Sequence, residues 1–284
     1  MKTLIKASST IVLVLSAGCA HAALQQPSTP VITAATQRQA VSVLLREPAG
    51  NQLGSGVLVG SATGGHWLVS NRHVVQQLKT VCVVGADRKA TAAWVLPARK
   101  GKRAQELDLA FVWLPRNGKE ALMVAPLAPQ RPVAGQLPRV IATGYPTPLQ
   151  ARPDGPPYSE NEGLLLPLLK NPLEGGFDLA YTSAVQKGMS GGGVFSAGEL
   201  IGINGAHASP LWPGVWRDQG GTALDEQLNS KLELVSLGIS AEVIKAELKA
   251  AAVPGAVQLN SLSEVDCNPA SNTPTERMPA QRSW

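Results

Sequence analysis

The chain has 284 residues, a formal net charge of +5, 16% charged residues and 4% aromatic residues. So small a positive balance, with no aromatic residues interleaved among its basic ones, argues against a nucleic-acid-binding protein. No Cys or His spacing suits a metal, no cofactor motif stands out, and no run beyond the N-terminus is long and apolar enough to span a bilayer.

The first 22 residues read as a signal peptide. Lys2 and Lys6 give a positive start, Ile11-Val12-Leu13-Val14-Leu15 forms a short apolar core, and Ala20-His21-Ala22 supplies small residues for cleavage before Ala23. The expectation is an exported protein, periplasmic or extracellular in a bacterium. Ser16-Ala17-Gly18-Cys19 also resembles a lipoprotein processing site, which would leave a lipid anchor at Cys19. A leucine is usual where Ser16 stands, and this favours export without the anchor.

From Val41 to about Val215, short apolar runs alternate with Gly, Pro, Asn and Asp, which predicts an all-β fold. Val41-Ser42-Val43-Leu44-Leu45, Gly56-Val57-Leu58-Val59, Val81-Cys82-Val83-Val84 and Val140-Ile141-Ala142 are examples. Trp67-Leu68-Val69-Ser70-Asn71-Arg72-His73 ends one apolar run on a histidine, with a helical turn expected after it. His66, behind Gly64-Gly65, reads as a hairpin tip. Arg99-Lys100-Gly101-Lys102-Arg103 reads as a solvated loop leading to Asp108, which opens the run Leu109-Ala110-Phe111-Val112-Trp113. Asp178 opens an apolar run in the same way and competes with it.

The Pro-rich stretch Ala125–Pro138 reads as a crossover, and Tyr145–Gly163 as a long loop. Lys187-Gly188-Met189-Ser190-Gly191-Gly192-Gly193 then sets one serine among four glycines. Such density marks backbone in unusual conformations, or backbone that another group approaches closely. Residues 217–254 carry leucines and isoleucines at helical spacing and predict a helical extension, divided near Gly238, with Ser240 as an N-cap. Residues 255–284 read as a mobile tail. Cys82 and Cys267 either pair or remain a buried thiol and a free one; both readings stand.

A serine hydroxyl is a weak nucleophile at neutral pH. It needs a base to take its proton and a carboxylate to orient that base. Among the four histidines, His21 lies in the expected signal, His66 at a turn and His207 close in sequence to Ser190, so His73 is the candidate base. His73, Asp108 and Ser190 are therefore the candidate catalytic residues. The serine segment also satisfies G-x-S-x-G, the nucleophile elbow of α/β-hydrolases. There the acid and the histidine follow the serine, and here the segments before it lack strand–helix alternation.

Leu53-Gly54-Ser55-Gly56-Val57, Ser70-Asn71-Arg72-His73-Val74, Asp108-Leu109-Ala110, Ile141-Ala142-Thr143-Gly144-Tyr145-Pro146 and Gly188-Met189-Ser190-Gly191-Gly192 occur in an order that resembles the trypsin-like (chymotrypsin-fold) serine peptidases. The likeness is to their bacterial secreted branch, DegP-like domains without PDZ domains, and it runs from about Val41 to Val215.

The resemblance implies two six-stranded antiparallel β-barrels, over 38–126 and 127–216, with the site between them. It implies a serine endopeptidase acting on protein or peptide substrates. Backbone N–H groups of Gly188 and Ser190 would form the oxyanion hole. Ala184 would lie at the base of the primary pocket, and Asn204, Gly205 and Ala206 would line the substrate strand. No acid stands near Ala184, so a preference for Lys or Arg is not implied. Met189 replaces the acid that zymogen activation requires, so other contacts, or substrate, must order the oxyanion loop. Gly193 stands where many relatives have proline. The alternatives are a catalytically weak or inactive module that binds extended peptides in the cell envelope, and a structural or adhesion protein.

Overall fold

The computed structural model describes residues 33–98, 106–116, 122–133, 136–148, 155–207 and 215–268. The expected signal peptide, the basic loop 99–103 and the end of the expected tail lie outside them. A short helix, α1 (Ala34–Val41), enters the fold; the Thr33 side chain accepts from the Thr36 N–H at 3.2 Å and caps it.

Six strands then form a closed antiparallel barrel: β1 (Ser42–Arg46), β2 (Gln52–Ala62), β3 (Gly65–Ser70), β4 (Thr80–Val84), β5 (Ala90–Val95) and β6 (Ala110–Pro115). Their order around it is β1-β2-β3-β6-β5-β4. Between β3 and β4 lies one helical turn, α2 (Arg72–Val75). It contains the histidine that the sequence reading placed just before such a turn. Val57, Leu68, Val69, Val81, Val112 and Trp113 fill the barrel with no exposed surface, and Trp67 packs edge-on to Trp113 with ring centroids 4.6 Å apart.

His66 is not a turn residue. The β2–β3 turn lies at Thr63-Gly64, where Gly64 takes φ +89°, and His66 is 1% exposed within β3. Its Nε2 accepts from the Leu122 N–H at 3.1 Å, so the ring is neutral and carries its proton on Nδ1. Burial first, and then Arg116, lower its pKa. Below about pH 6.5 the unfolded chain takes up a proton that the folded chain refuses, so this residue costs stability as pH falls. The melting temperature of wild type is expected to drop more than that of His66→Gln between about pH 7.5 and 5. Parallel curves would remove His66 from the pH dependence.

A second closed barrel holds β7 (Arg139–Gly144), β8 (Ser159–Leu166), β9 (Leu179–Tyr181), β10 (Gly193–Ser196), β11 (Glu199–His207) and β12 (Ser236–Ser240), in the order β10-β11-β12-β9-β8-β7. Its core contains Val140, Ala142, Leu165, Leu179, Tyr181, Met189, Val194 and Ile201. The chain changes barrels within a few residues. The Ala125 N–H donates to Leu58 O in the first barrel, while Pro126 O and the Ala128 N–H pair with Leu200 in the second.

Three expectations are corrected here. The second barrel does not close by residue 216: β12 lies inside the segment predicted as a helical extension. Ser236-Leu237-Gly238-Ile239-Ser240 alternates with period two, a strand pattern hidden between the leucines of two genuine helices, α3 (Glu226–Leu232) and α4 (Ala241–Leu248). Ser240 does cap α4, accepting from the Val243 N–H. The 145–163 segment is not all loop, because β8 starts at Ser159. The start of the expected tail is also ordered. Helix α5 (Ala256–Ser261) and a 3-10 turn at Leu262–Glu264 lead to Cys267, which forms a disulfide with Cys82 of β4, their Cα atoms 5.6 Å apart. A staple closing so long a stretch typically adds about 2–4 kcal/mol.

Candidate active site

His73 sits on α2, immediately after β3. The Asp108 carboxylate grips it twice: Oδ2 lies 2.7 Å from His73 Nδ1, and Oδ1 accepts the His73 backbone N–H at 2.9 Å. An ionised carboxylate accepts only, so Nδ1 carries the ring proton and the lone pair stays on Nε2. Asp108 is itself fixed from both barrels. Its carbonyl accepts from Asn71 Nδ2 at 3.0 Å, and its N–H donates to Gly175 O at 2.8 Å. The Asn71 side chain, fully buried beside the histidine, thus ties the two segments together.

Asp178, the competing acid, lies elsewhere. It is 6% exposed, receives Arg131 through a short ion pair and accepts the Ser240 N–H at 2.8 Å. Arg131 also donates to the Asp178 carbonyl at 2.9 Å. This cluster pins the crossover to the junction of β12 and α4.

β2 joins the two halves of the site. A Cβ added to Gly54 would lie 2.9 Å from both methyl carbons of Val74 and 3.1 Å from Ser190 O. The neighbour of His73 and the serine itself therefore meet at one glycine. The glycines after the serine serve the same close packing. Gly191 has φ +82°, and a side chain there would overlap Ser70 and Ser55; one at Gly192 would overlap the Thr143 carbonyl. Gly193 donates its N–H to Thr143 Oγ1 at 3.1 Å, a bond the proline of many relatives has no hydrogen to make. Ser190 Oγ donates to Gly205 O at 3.5 Å, long for an O–H donor.

The turn before the serine is held by other contacts than an acid. Met189 is 0% exposed in the second core, with Asn161 Nδ2 3.7 Å from its sulfur. Gly188 has φ +92°, and a side chain there would come within 2.6 Å of Tyr145 O and 2.7 Å of the Thr147 nitrogen. Three carbonyls are tied inward. Lys187 O accepts from the Thr147 N–H at 2.8 Å, Gly188 O from Ser55 Oγ at 2.7 Å, and Met189 O from the Gly192 N–H at 3.0 Å and Asn204 Nδ2 at 3.2 Å. In a trans peptide the N–H points away from the carbonyl of the same unit. Tying Lys187 O and Met189 O therefore turns the N–H groups of Gly188 and Ser190 the other way, and neither donates to another described residue. Two free donors flank the serine hydroxyl, the arrangement that a developing oxyanion needs.

Asn204 does not line a substrate strand. It is fully buried; its N–H donates to Gly192 O at 2.8 Å, its carbonyl accepts from the Gly191 N–H at 2.9 Å, and its side chain bonds Thr143 O, Met189 O and the Tyr181 hydroxyl. Its backbone groups and its Nδ2 brace the serine turn, and its Oδ1 is taken by the Tyr181 hydroxyl. The register with β12 shifts between Asn204 and Ala206, which leaves Gly205 at a bulge, while Ala206 pairs with Leu237. A side chain at Gly205 would overlap the Phe177 ring, and Phe177 packs edge-on to Trp216 with centroids 6.4 Å apart. Ala184 is exposed, and its carbonyl accepts from Asn161 Nδ2 at 2.7 Å. Sequence reasoning missed Ser55, Asn71, Thr147 and Gly175. Ser55 and Asn71 stood inside recognised motifs; Thr147 and Gly175 act through backbone atoms and leave no signature.

A trypsin-like peptidase domain model matches residues 54–203. No curated protein matches the chain. Among solved structures, an HtrA-type protease with tripeptide is similar at 20% identity and TM-score 0.53, over 76% of this chain and 62% of that one. A serine endoprotease from Yersinia pestis is similar at 19% identity and TM-score 0.53, over 76% and 64%. The Rv3671c protease in its inactive form is similar at 15% identity and TM-score 0.51, over 78% and 93%. The chain thus spans less than two thirds of the first two structures, and at these identities the likeness is one of fold.

Proposed function

The chain belongs to the trypsin-like peptidase family, and on that premise we propose that it is a serine endopeptidase with His73, Asp108 and Ser190 as its catalytic residues. The observation that carries this reading is the His73 ring and backbone both held by Asp108, across β2 from a serine flanked by two free N–H donors.

His73 Nε2 takes the Ser190 proton as Oγ attacks the carbonyl carbon of the substrate peptide. The weak bond from Ser190 to Gly205 O costs little to exchange. The oxyanion settles against the N–H groups of Gly188 and Ser190, and losing one such donor typically costs about 100- to 1000-fold in rate. The imidazolium, stabilised by Asp108, then gives its proton to the leaving amine. Water, activated by the same histidine, releases the acyl group from Ser190.

Substrate enters as an extended peptide beside Gly205 and Ala206. No acid stands at Ala184, and nothing there supports a preference for Lys or Arg. The Cys82–Cys267 disulfide supports export to an oxidising compartment, in keeping with the signal-like N-terminus.

A mixed peptide library, read by mass spectrometry, tests the activity. Wild type is expected to generate new termini within peptides, and Ser190→Ala none. Folded wild type that retains peptides without cutting them would point to the binding module instead.

A further inference from the structure

Ser55 is fully buried, and each of its polar atoms is bonded to a different part of the candidate site. Its N–H donates to Ser190 O at 2.9 Å. Its hydroxyl donates to Gly188 O at 2.7 Å and accepts the Tyr145 N–H at 2.9 Å. Its carbonyl accepts from Ser70 Oγ at 2.7 Å, on the strand that ends at the histidine. One residue of the first barrel thus holds the carbonyls on both sides of Met189, the end of β7 and the strand leading to His73.

The hydroxyl is the decisive group, because backbone bonds survive substitution and it does not. The Gly188 carbonyl shares its peptide plane with the Met189 N–H, which donates to Gln186 O at 2.9 Å, so without the Ser55 hydroxyl that plane is held on one side only. This plane lies between the two that carry the Gly188 and Ser190 N–H groups, so a tilt in it changes how the two free donors face each other. Residues that line a strand of a barrel are usually packing residues. A hydroxyl buried between two barrels, donating to one carbonyl of a glycine turn, is in a position to set that turn.

We propose that Ser55 is a positioning residue: its side-chain hydroxyl, docked by the Tyr145 N–H of the second barrel, fixes the Gly188 carbonyl and thereby holds the oxyanion donors ready before substrate arrives. The inference rests on the peptidase reading for its catalytic consequence, but not for its structural one. The Ser55 oxygen thus touches both the second barrel, at Tyr145, and the peptide between the two donors.

The test compares Ser55→Ala with Ser42→Ala in the full-length protein. Ser42 carries an equally buried hydroxyl, bonded to Arg38 O at 2.8 Å and to Thr143 Oγ1 at 3.3 Å, and does not touch the serine turn. With 15N-glycine labelling, the Gly188 amide resonance is expected to shift or broaden in Ser55→Ala and to stay in place in Ser42→Ala. In Ser55→Ala, kcat is expected to fall about 10- to 100-fold, less than the loss of a whole oxyanion donor, with KM changed less than about threefold. Ser55→Thr, which keeps the hydroxyl, is expected to retain both the resonance and kcat. If Ser55→Ala does not fold, Ser55→Cys, with its weaker donor, takes its place in both readouts.

An unmoved Gly188 amide with unchanged kcat would overturn the proposal, as would equal losses of kcat in Ser55→Ala and Ser42→Ala. If wild type cleaves no peptide, the peptidase reading fails, and the Gly188 resonance still decides whether Ser55 sets the turn.

Discussion

Asp108→Asn is expected to lower kcat/KM about ten-thousand-fold with little change in melting temperature. The reason lies in the two bonds to His73. The backbone N–H of His73 must face an acceptor, so the carboxamide oxygen takes the place of Oδ1. The amide NH2 then faces Nδ1 in the place of Oδ2. Two donors do not bond, so the ring shifts its proton to Nε2 and loses the lone pair that Ser190 needs. The fold survives because Asp108 is held through its backbone by Asn71 and Gly175, and those bonds do not depend on charge. Steady-state kinetics on a cleaved peptide, beside a thermal melt, checks both halves. A loss below tenfold would mean that Asp108 does not orient the base.

The second large effect concerns stability. Arg131→Met leaves the Asp178 carboxylate, 6% exposed, with no opposite charge and only the Ser240 N–H and hydroxyl to compensate it. Breaking a buried pair costs about 3–5 kcal/mol; since the guanidinium is 32% exposed, the low end, about 3 kcal/mol, is expected here. For a domain of this size that lowers the melting temperature by about 10 °C. Removing the orphaned charge as well, in Arg131→Met with Asp178→Asn, is expected to recover part of the loss. A double variant no more stable than the single one would show that charge burial is not the cause.

The first barrel and the three candidate catalytic residues were legible because their signals are local. Short β-rich runs, a histidine and an aspartate at strand ends, and a serine among glycines each occupy a few consecutive residues. β12 was missed because five alternating residues lay between two leucine-bearing helices, and the window that finds a helix averaged over them. Asn204 was misplaced because a position on a strand does not reveal which groups it has left to offer, and every polar group of Asn204 is spent inside the second barrel, on the serine turn, Thr143 and Tyr181. Asp108 and Asp178 looked alike in sequence. What separates them is the partner each meets, His73 for one and Arg131 for the other, and partners from distant segments are not written in local pattern. Met189 was legible as a missing acid. Its role as a core residue anchoring the turn follows only from where the second barrel closes around it.

The central claim is that Ser190 is an activated nucleophile. A fluorophosphonate probe on folded wild-type protein, followed by peptide mapping, measures this most directly. One adduct on Ser190 is expected in wild type, and none in Ser190→Ala. A folded protein that takes up no probe, or takes it up at another serine, would contradict the claim.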